Sequence, residues 1–199
     1  MKPALSQISR RRARKGGFSL VELVITMTIM TILVGVVSMR ANGMTDKARA
    51  AKIVSTVEGL RTPVMMYHQD TNQLPYEYSG YQGGTYHRLS LDPGVANWDG
   101  PYIETPISRS WNPTGELIHM YNQAIPSYSG NNGFDIDGDG TQDVDQYDAT
   151  TLVIWGIEEG VAEKVDRAFD SNLGGTWTDA GRVEYTAASR RMNIMIYNR

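Results

Sequence analysis

Apolar positions along the chain change regime as the sequence proceeds. From Phe18 to Met39 the chain reads FSLVELVITMTIMTILVGVVSM, 22 residues in which the single charge is Glu22. At about 1.5 Å per residue this makes about 33 Å of helix, enough to cross a hydrocarbon core of about 30 Å. Further on the pattern becomes one-sided. Ile53, Val57, Leu60 and Val64 recur at spacings of four, three and four, the stripe of a helix with one buried face. The pattern therefore predicts one long helix from about Phe18 to about Met66. Residues 18–40 form its membrane-spanning part, and 41–66 continue it against a globular domain at 67–199. Gly35, Gly43 and Gly59 each cost about 1 kcal/mol relative to Ala, and Pro63 removes an internal hydrogen bond, so kinks or local melting are expected near them.

Beyond the helix, residues 74–112 are rich in Gly, Pro, Tyr and Trp with little periodicity, which predicts a long packed loop. Strands are predicted at Glu116–Tyr121, Thr150–Trp155, Arg182–Ala187 and Met192–Tyr197, each short, bounded by turn residues and suited to an antiparallel sheet. Glu158–Phe169 places Val161, Val165 and Phe169 at successive fours, an amphipathic helix whose acids Glu158, Glu159 and Glu163 sit mostly at its favourable N-terminal end. The fold class is α+β: a long N-terminal helix packed on a small antiparallel sheet.

Charge sharpens this picture. The chain has 199 residues, 19 Lys and Arg against 22 Asp and Glu, and no cysteine. Residues 1–17 carry six basic side chains and no acid, so the remainder has a net charge of −9. An acidic bulk disfavours a nucleic-acid phosphate track as a partner. The basic flank places the N-terminus in the cytoplasm by the positive-inside rule and the globular domain across the membrane. No small-x-small site ends the apolar stretch, so the helix is expected to be retained rather than removed with a signal peptide.

The basic run closes in Lys15-Gly16-Gly17, followed directly by Phe18-Ser19-Leu20-Val21-Glu22. KGGFSLVE resembles the class III leader of type IV pilins and type II secretion pseudopilins. The resemblance implies that a prepilin peptidase cuts between Gly17 and Phe18, that Phe18 becomes an N-methylated terminus, and that Glu22 becomes the fifth mature residue. An unpaired carboxylate in lipid costs about 2.5–3.5 kcal/mol near the bilayer centre and less near an end. Glu22 has no partner nearby in sequence, whereas a freed Phe18 ammonium on an adjoining subunit would attract it by about 4 kcal/mol at 4 Å and an effective dielectric of 20. Phe18 and Glu22 are thus the assembly residues. Asn97–Ile103, NWDGPYI, resembles the W-x-G-P-Y motif of major pseudopilins and reads as a packing corner. The implied role is a structural subunit of a short filament that drives protein export. Its implied partners are itself or other pseudopilins, the prepilin peptidase, an inner-membrane secretion platform and the lipid bilayer. The implied location is the bacterial inner membrane with the C-terminal domain in the periplasm. A minor type IV pilin, or a membrane-anchored calcium-binding receptor or adhesin that never polymerises, remain as alternatives.

Ligand chemistry concentrates in Asp135-Ile136-Asp137-Gly138-Asp139-Gly140-Thr141-Gln142-Asp143-Val144-Asp145. Oxygens at positions one, three and five, a glycine at six, a carbonyl at seven and an acid at nine fit the first part of a calcium loop. The expected ligands to structural Ca²⁺ are Asp135, Asp137, Asp139, Thr141, Asp143 and Asp145. Gln146 stands at position twelve in place of a bidentate Glu, leaving Asp145 or Asp148 to complete the shell; a solvated acidic turn is the alternative. The resemblance agrees, since major pseudopilins bind calcium in a loop of the C-terminal region. His68, His87 and His119 are scattered without a metalloprotease, nucleophile-elbow or P-loop spacing and read as surface or turn residues, so no enzyme is predicted. Trp98, Trp111, Trp155 and Trp177 read as core packing rather than a sugar-stacking face.

Overall fold

The computed structural model describes residues 18–123, 133–145, 147–171 and 173–199, and the backbone alone at 39–42. The leader, with Gly17, lies outside the described residues, as does Gln146. Two compact units divide the chain at Asn42–Gly43. Helix α1, Leu20–Thr71, contributes to both. It stays helical through Gly35, Gly43, Gly59 and Pro63, so the expected local melting does not occur, and it runs five residues beyond the predicted end. Asn72, at φ 53, ends it in the left-handed conformation that asparagine tolerates.

In the first unit the described side chains of α1 are exposed on all sides, with Leu20, Val24, Ile29, Ile32 and Val36 each about half exposed or more. Its hydroxyls make no demand on a solvent. Thr26, Thr28, Thr31 and Ser38 each donate to a carbonyl three or four residues back, at 2.8–2.9 Å. The helix therefore satisfies its own hydroxyls, as a segment in lipid must.

The second unit is built on the predicted stripe. Ile53, Val57, Leu60 and Val64 are each at most 1% exposed, and Ala50 and Tyr67 extend the stripe by a turn at each end. Burying one such side chain contributes about 1.5–3 kcal/mol. The stripe shares its core with an antiparallel sheet of five strands: β1 (Glu77–Tyr78), β2 (Ile118–Tyr121), β5 (Ala149–Ile154), β6 (Val183–Thr186) and β7 (Arg191–Asn198), in the order β1-β2-β5-β7-β6. Central β5 is buried at every position. Leu152 and Ile154 join the α1 cluster, whereas Ala149 joins Phe134, Val144 and Met195. The latter cluster pins a separate ribbon of β3 (Gly133–Phe134) and β4 (Val144–Asp145), two strands too short to register as alternation. Helix α2, Glu159–Phe169, packs Val161, Ala162 and Val165 onto the α1 core.

The loop between α1 and β2 is held by one carboxylate. Glu77, fully buried, accepts hydrogen bonds from the Leu89 and Ser90 amides at 2.7 and 3.0 Å and from the Ser90 hydroxyl, and its Oε2 lies 2.8 Å from His87 Nδ1. His87 Nε2 faces the Tyr81 carbonyl at 2.9 Å. His87 is 2% and His119 8% exposed, which corrects their reading as surface residues: ring nitrogens with partners inside the fold need no water. The W-x-G-P-Y segment is the expected packing corner. Trp98 Nε1 donates to the Arg88 carbonyl, Tyr102 OH donates to Asp70, and the Tyr102 ring meets Tyr67 and Trp98 edge-on. A Cβ on Gly100 would lie 2.5 Å from the Trp98 ring, which is why glycine stands between the aromatics.

Two consequences are measurable on the full chain in detergent by thermal circular dichroism. Glu77→Ala, which strands His87 and two buried amides, should destabilise the second unit by about 3–5 kcal/mol. Burial pushes the Glu184 carboxyl from its ordinary 4.5 up to about 8, so the folded chain keeps a proton that the unfolded chain releases. The associated stability is complete below about pH 4.5 and is lost as pH rises toward 8. Glu184→Gln should flatten the fall in melting temperature across that window.

Candidate functional site

At the start of α1, Ser19 occupies the N-cap position and Glu22 the third helical position. The Ser19 amide donates to Glu22 Oε2 at 2.8 Å, and the Glu22 amide donates to Ser19 Oγ at 3.2 Å. This reciprocal capping box satisfies two donors that the first turn leaves open. An acid in the first turn also meets the positive end of the helix dipole. The structure thus corrects the reading of Glu22 as lacking a neighbour in sequence: Ser19, three residues upstream, is its partner. The S-x-x-E spacing is the sequence signal for this contact. Phe18 precedes the helix and is 88% exposed, its ring meeting no core.

The acidic loop joins β3 to β4, and its ends are fixed by Phe134 and Val144, which pair with each other and are buried. Between them the chain folds onto its own carboxylates. Asp135 accepts from the Gly138 and Gly140 amides, each at 2.8 Å, and Asp143 accepts from the Ile136 and Asp137 amides at 2.8 and 3.3 Å. Gly138 and Gly140, at φ +76 and +90, take the conformation that these tight turns require. As a result Asp135, Asp137 and Asp143 bring one oxygen each to within 4.8 Å of one another. Three carboxylates at that separation repel one another. An all-oxygen set with lone pairs to spare fits a hard cation such as Ca²⁺.

Asp139 and Asp145 are not part of this trio. Asp139 accepts from the amide and hydroxyl of Thr141, and those two bonds hold its carboxyl below the usual range. Asp145 belongs to β4, opposite Gly133, and Asp148 pairs with Arg199 at 2.7 Å. The loop is also tied to the rest of the fold by its backbone: the Gly181 amide donates to the Asp135 carbonyl at 2.6 Å.

Among the described residues a serine and a histidine meet between β1 and β2. His119 Nδ1 lies 3.5 Å from Ser79 Oγ, but that hydroxyl also accepts from the Ile118 amide, and burial lowers the affinity of His119 for a proton. The contact secures β2 against the loop beside it and does not make a nucleophile.

Residues 12–38 match the family described as the prokaryotic N-terminal methylation motif. The type II secretion system core protein G of Klebsiella michiganensis is 30% identical over 109 residues, which are 46% of this chain and 74% of that protein. The Aeromonas hydrophila protein of the same name is 28% identical over 109 residues, 46% of this chain and 73% of that protein. The Klebsiella pneumoniae protein is 27% identical over 106 residues, 53% of this chain and 75% of that protein. No solved structure matches the chain significantly. With the methylation motif laid over the basic-to-apolar junction, and three quarters of a 30%-identical relative aligned, the chain belongs to the family of type II secretion system core protein G, the major pseudopilins.

Proposed function

We propose that this protein is a structural subunit that polymerises through the first part of α1 into a pseudopilin filament serving protein export. The observation that carries the proposal is the helix itself: an apolar surface exposed all round, opened by a glutamate, at the position of a methylation motif. Exposed apolar area on this scale calls for lipid or for neighbouring helices. A monomer held in the bilayer and a filament packed from the same helices meet that demand in turn. Cleavage between Gly17 and Phe18 by a prepilin peptidase would create the ammonium that an incoming subunit offers to Glu22 of its neighbour. In this reading the N-terminus is cytoplasmic, the second unit is periplasmic, and the inner-membrane secretion platform receives the subunits. The protein does no catalysis of its own and binds no nucleic acid. Ca²⁺ held by Asp135, Asp137 and Asp143 would keep the β3–β4 loop folded in a chain without disulfides.

Co-expression with a prepilin peptidase should shorten the chain by 17 residues, and Gly17→Ala should block the cut, as read by mass spectrometry. Glu22→Gln keeps an oxygen for the Ser19 amide and removes the charge. It should leave membrane insertion intact and lower filament yield at least tenfold on electron-microscopy grids, whereas wild-type yield would end the charge-pairing proposal. Chelation should lower the melting temperature of the full chain by several degrees. At calcium 100-fold above its dissociation constant the linked stabilisation is about 2.7 kcal/mol. Asp137→Asn should shrink the difference.

A further inference from the structure

The last turn of α2 holds an acid pair that neither the filament contact nor the acidic loop uses. Asp166 follows Val165 on the buried side of the helix, and Asp170 stands one turn on at its C-cap. They are 6% and 9% exposed. Asp170 has an evident structural role, because its Oδ2 accepts from the Arg182 and Val183 amides at 2.8 and 2.9 Å and so fastens the end of α2 to the start of β6. Asp166 has no such role. Its Oδ1 is buried and has no hydrogen-bond partner, which for a carboxylate is an expensive arrangement.

Both acids line a cavity of about 150 Å³, together with Arg167, Ser171, Gly174 and Trp177 among others. That volume suits an ion with its waters and falls short of the few hundred cubic ångströms an organic ligand needs. Arg167 also lines the cavity and its charge favours the ionised Asp166, as that of Arg182 favours the ionised Asp170, but neither guanidinium bonds the free Asp166 oxygen. Arg182 donates to the Met195 carbonyl and lies over the Phe169 ring, and Arg167 pairs with Glu163 on the exposed side. Burial first, then the Asp170 charge, pushes the Asp166 carboxyl up to about 6. The C-terminal end of a helix adds partial negative charge to the same place. Among the described lining residues there is no histidine or cysteine, so the available metal donors are oxygens.

We propose that this cavity is a second calcium site, with the free Asp166 oxygen and the Asp170 carboxylate as its anionic ligands. An oxygen-only site of irregular outline suits calcium better than magnesium, which demands a near-ideal octahedron. The site shares a wall with the acidic loop. A Cβ on Gly138 would lie 2.1 Å from the Gly174 carbonyl oxygen, and Asp135 pairs with Ala180. An ion here braces segment 173–180 and, through it, the backbone on which the loop rests. The inference is independent of both the filament reading and the loop site.

Equilibrium dialysis of the full chain in detergent against radiolabelled calcium, up to about 1 mM, tests it. Asp137→Asn/Asp143→Asn, which disables the loop, should retain one equivalent of calcium, and adding Asp166→Asn should remove that equivalent. Asp166→Asn alone should bind one equivalent fewer than wild type. Without calcium it should melt above wild type, because a buried charge with no partner has gone. No calcium on the folded loop variant, or stoichiometry unchanged by Asp166→Asn, overturns the site. Should the loop variant fail to fold, wild type against Asp166→Asn decides the matter by the same one-equivalent difference. Failure of the loop site would appear separately, as wild-type binding in the loop variant.

Discussion

The whole molecule turns on how one helix disposes of its apolar surface. Between Leu20 and Val37 α1 has apolar side chains on every face and no protein against them; between Ala50 and Tyr67 it has a single stripe, fully buried. A helix apolar all round is stable only where water is absent, and a helix with one stripe is stable only against a complementary core. The two demands meet in one unbroken run of helix, through three glycines and a proline. The glycines persist because the cost of each is small beside the burial that the stripe secures along its length.

The second unit answers the stripe with a sheet whose central strand is buried on both faces. That double burial accounts for much of the architecture around it. One face of β5 meets the α1 and α2 core; on the other, Phe134 and Val144 pack against Ala149. The acidic loop is therefore not an appendage. It is the connection between two residues that the sheet requires, and its carboxylates converge because the chain must turn back over a short span. A cation at Asp135, Asp137 and Asp143 would then relieve a repulsion that packing imposes.

Acids recur as fasteners. Glu77 gathers the loop after α1, Asp170 joins α2 to β6, and Glu22 closes the first turn of α1 on Ser19. In each case the carboxylate accepts from backbone amides, which substitutes for regular pairing in a chain without disulfides. Asp166 is the exception, a buried carboxylate beside a cavity with one oxygen that has nothing to accept from.

Patterns of near neighbours are legible in the sequence. The membrane-length segment, the stripe on α1, the four longer strands and α2 are recognisable within a few residues, because local periodicity reports which face a segment buries. The acidic-loop spacing marks out a run of oxygen donors from Asp135 to Asp145, of which Asp135, Asp137 and Asp143 converge, and the S-x-x-E box of α1 is written there as plainly. What the fold alone decides depends on contacts between distant residues. Strands of two residues carry no period, so β1, β3 and β4 leave no trace in the pattern. The burial of His87 beside Glu77 and of His119 beside Ser79 follows from a loop folding onto a sheet edge. Likewise Asp139 and Asp145 fit the loop pattern by count, yet hydrogen bonds and strand pairing hold them apart from the trio. Spacing specifies which side chains can converge; only packing in three dimensions selects which ones do.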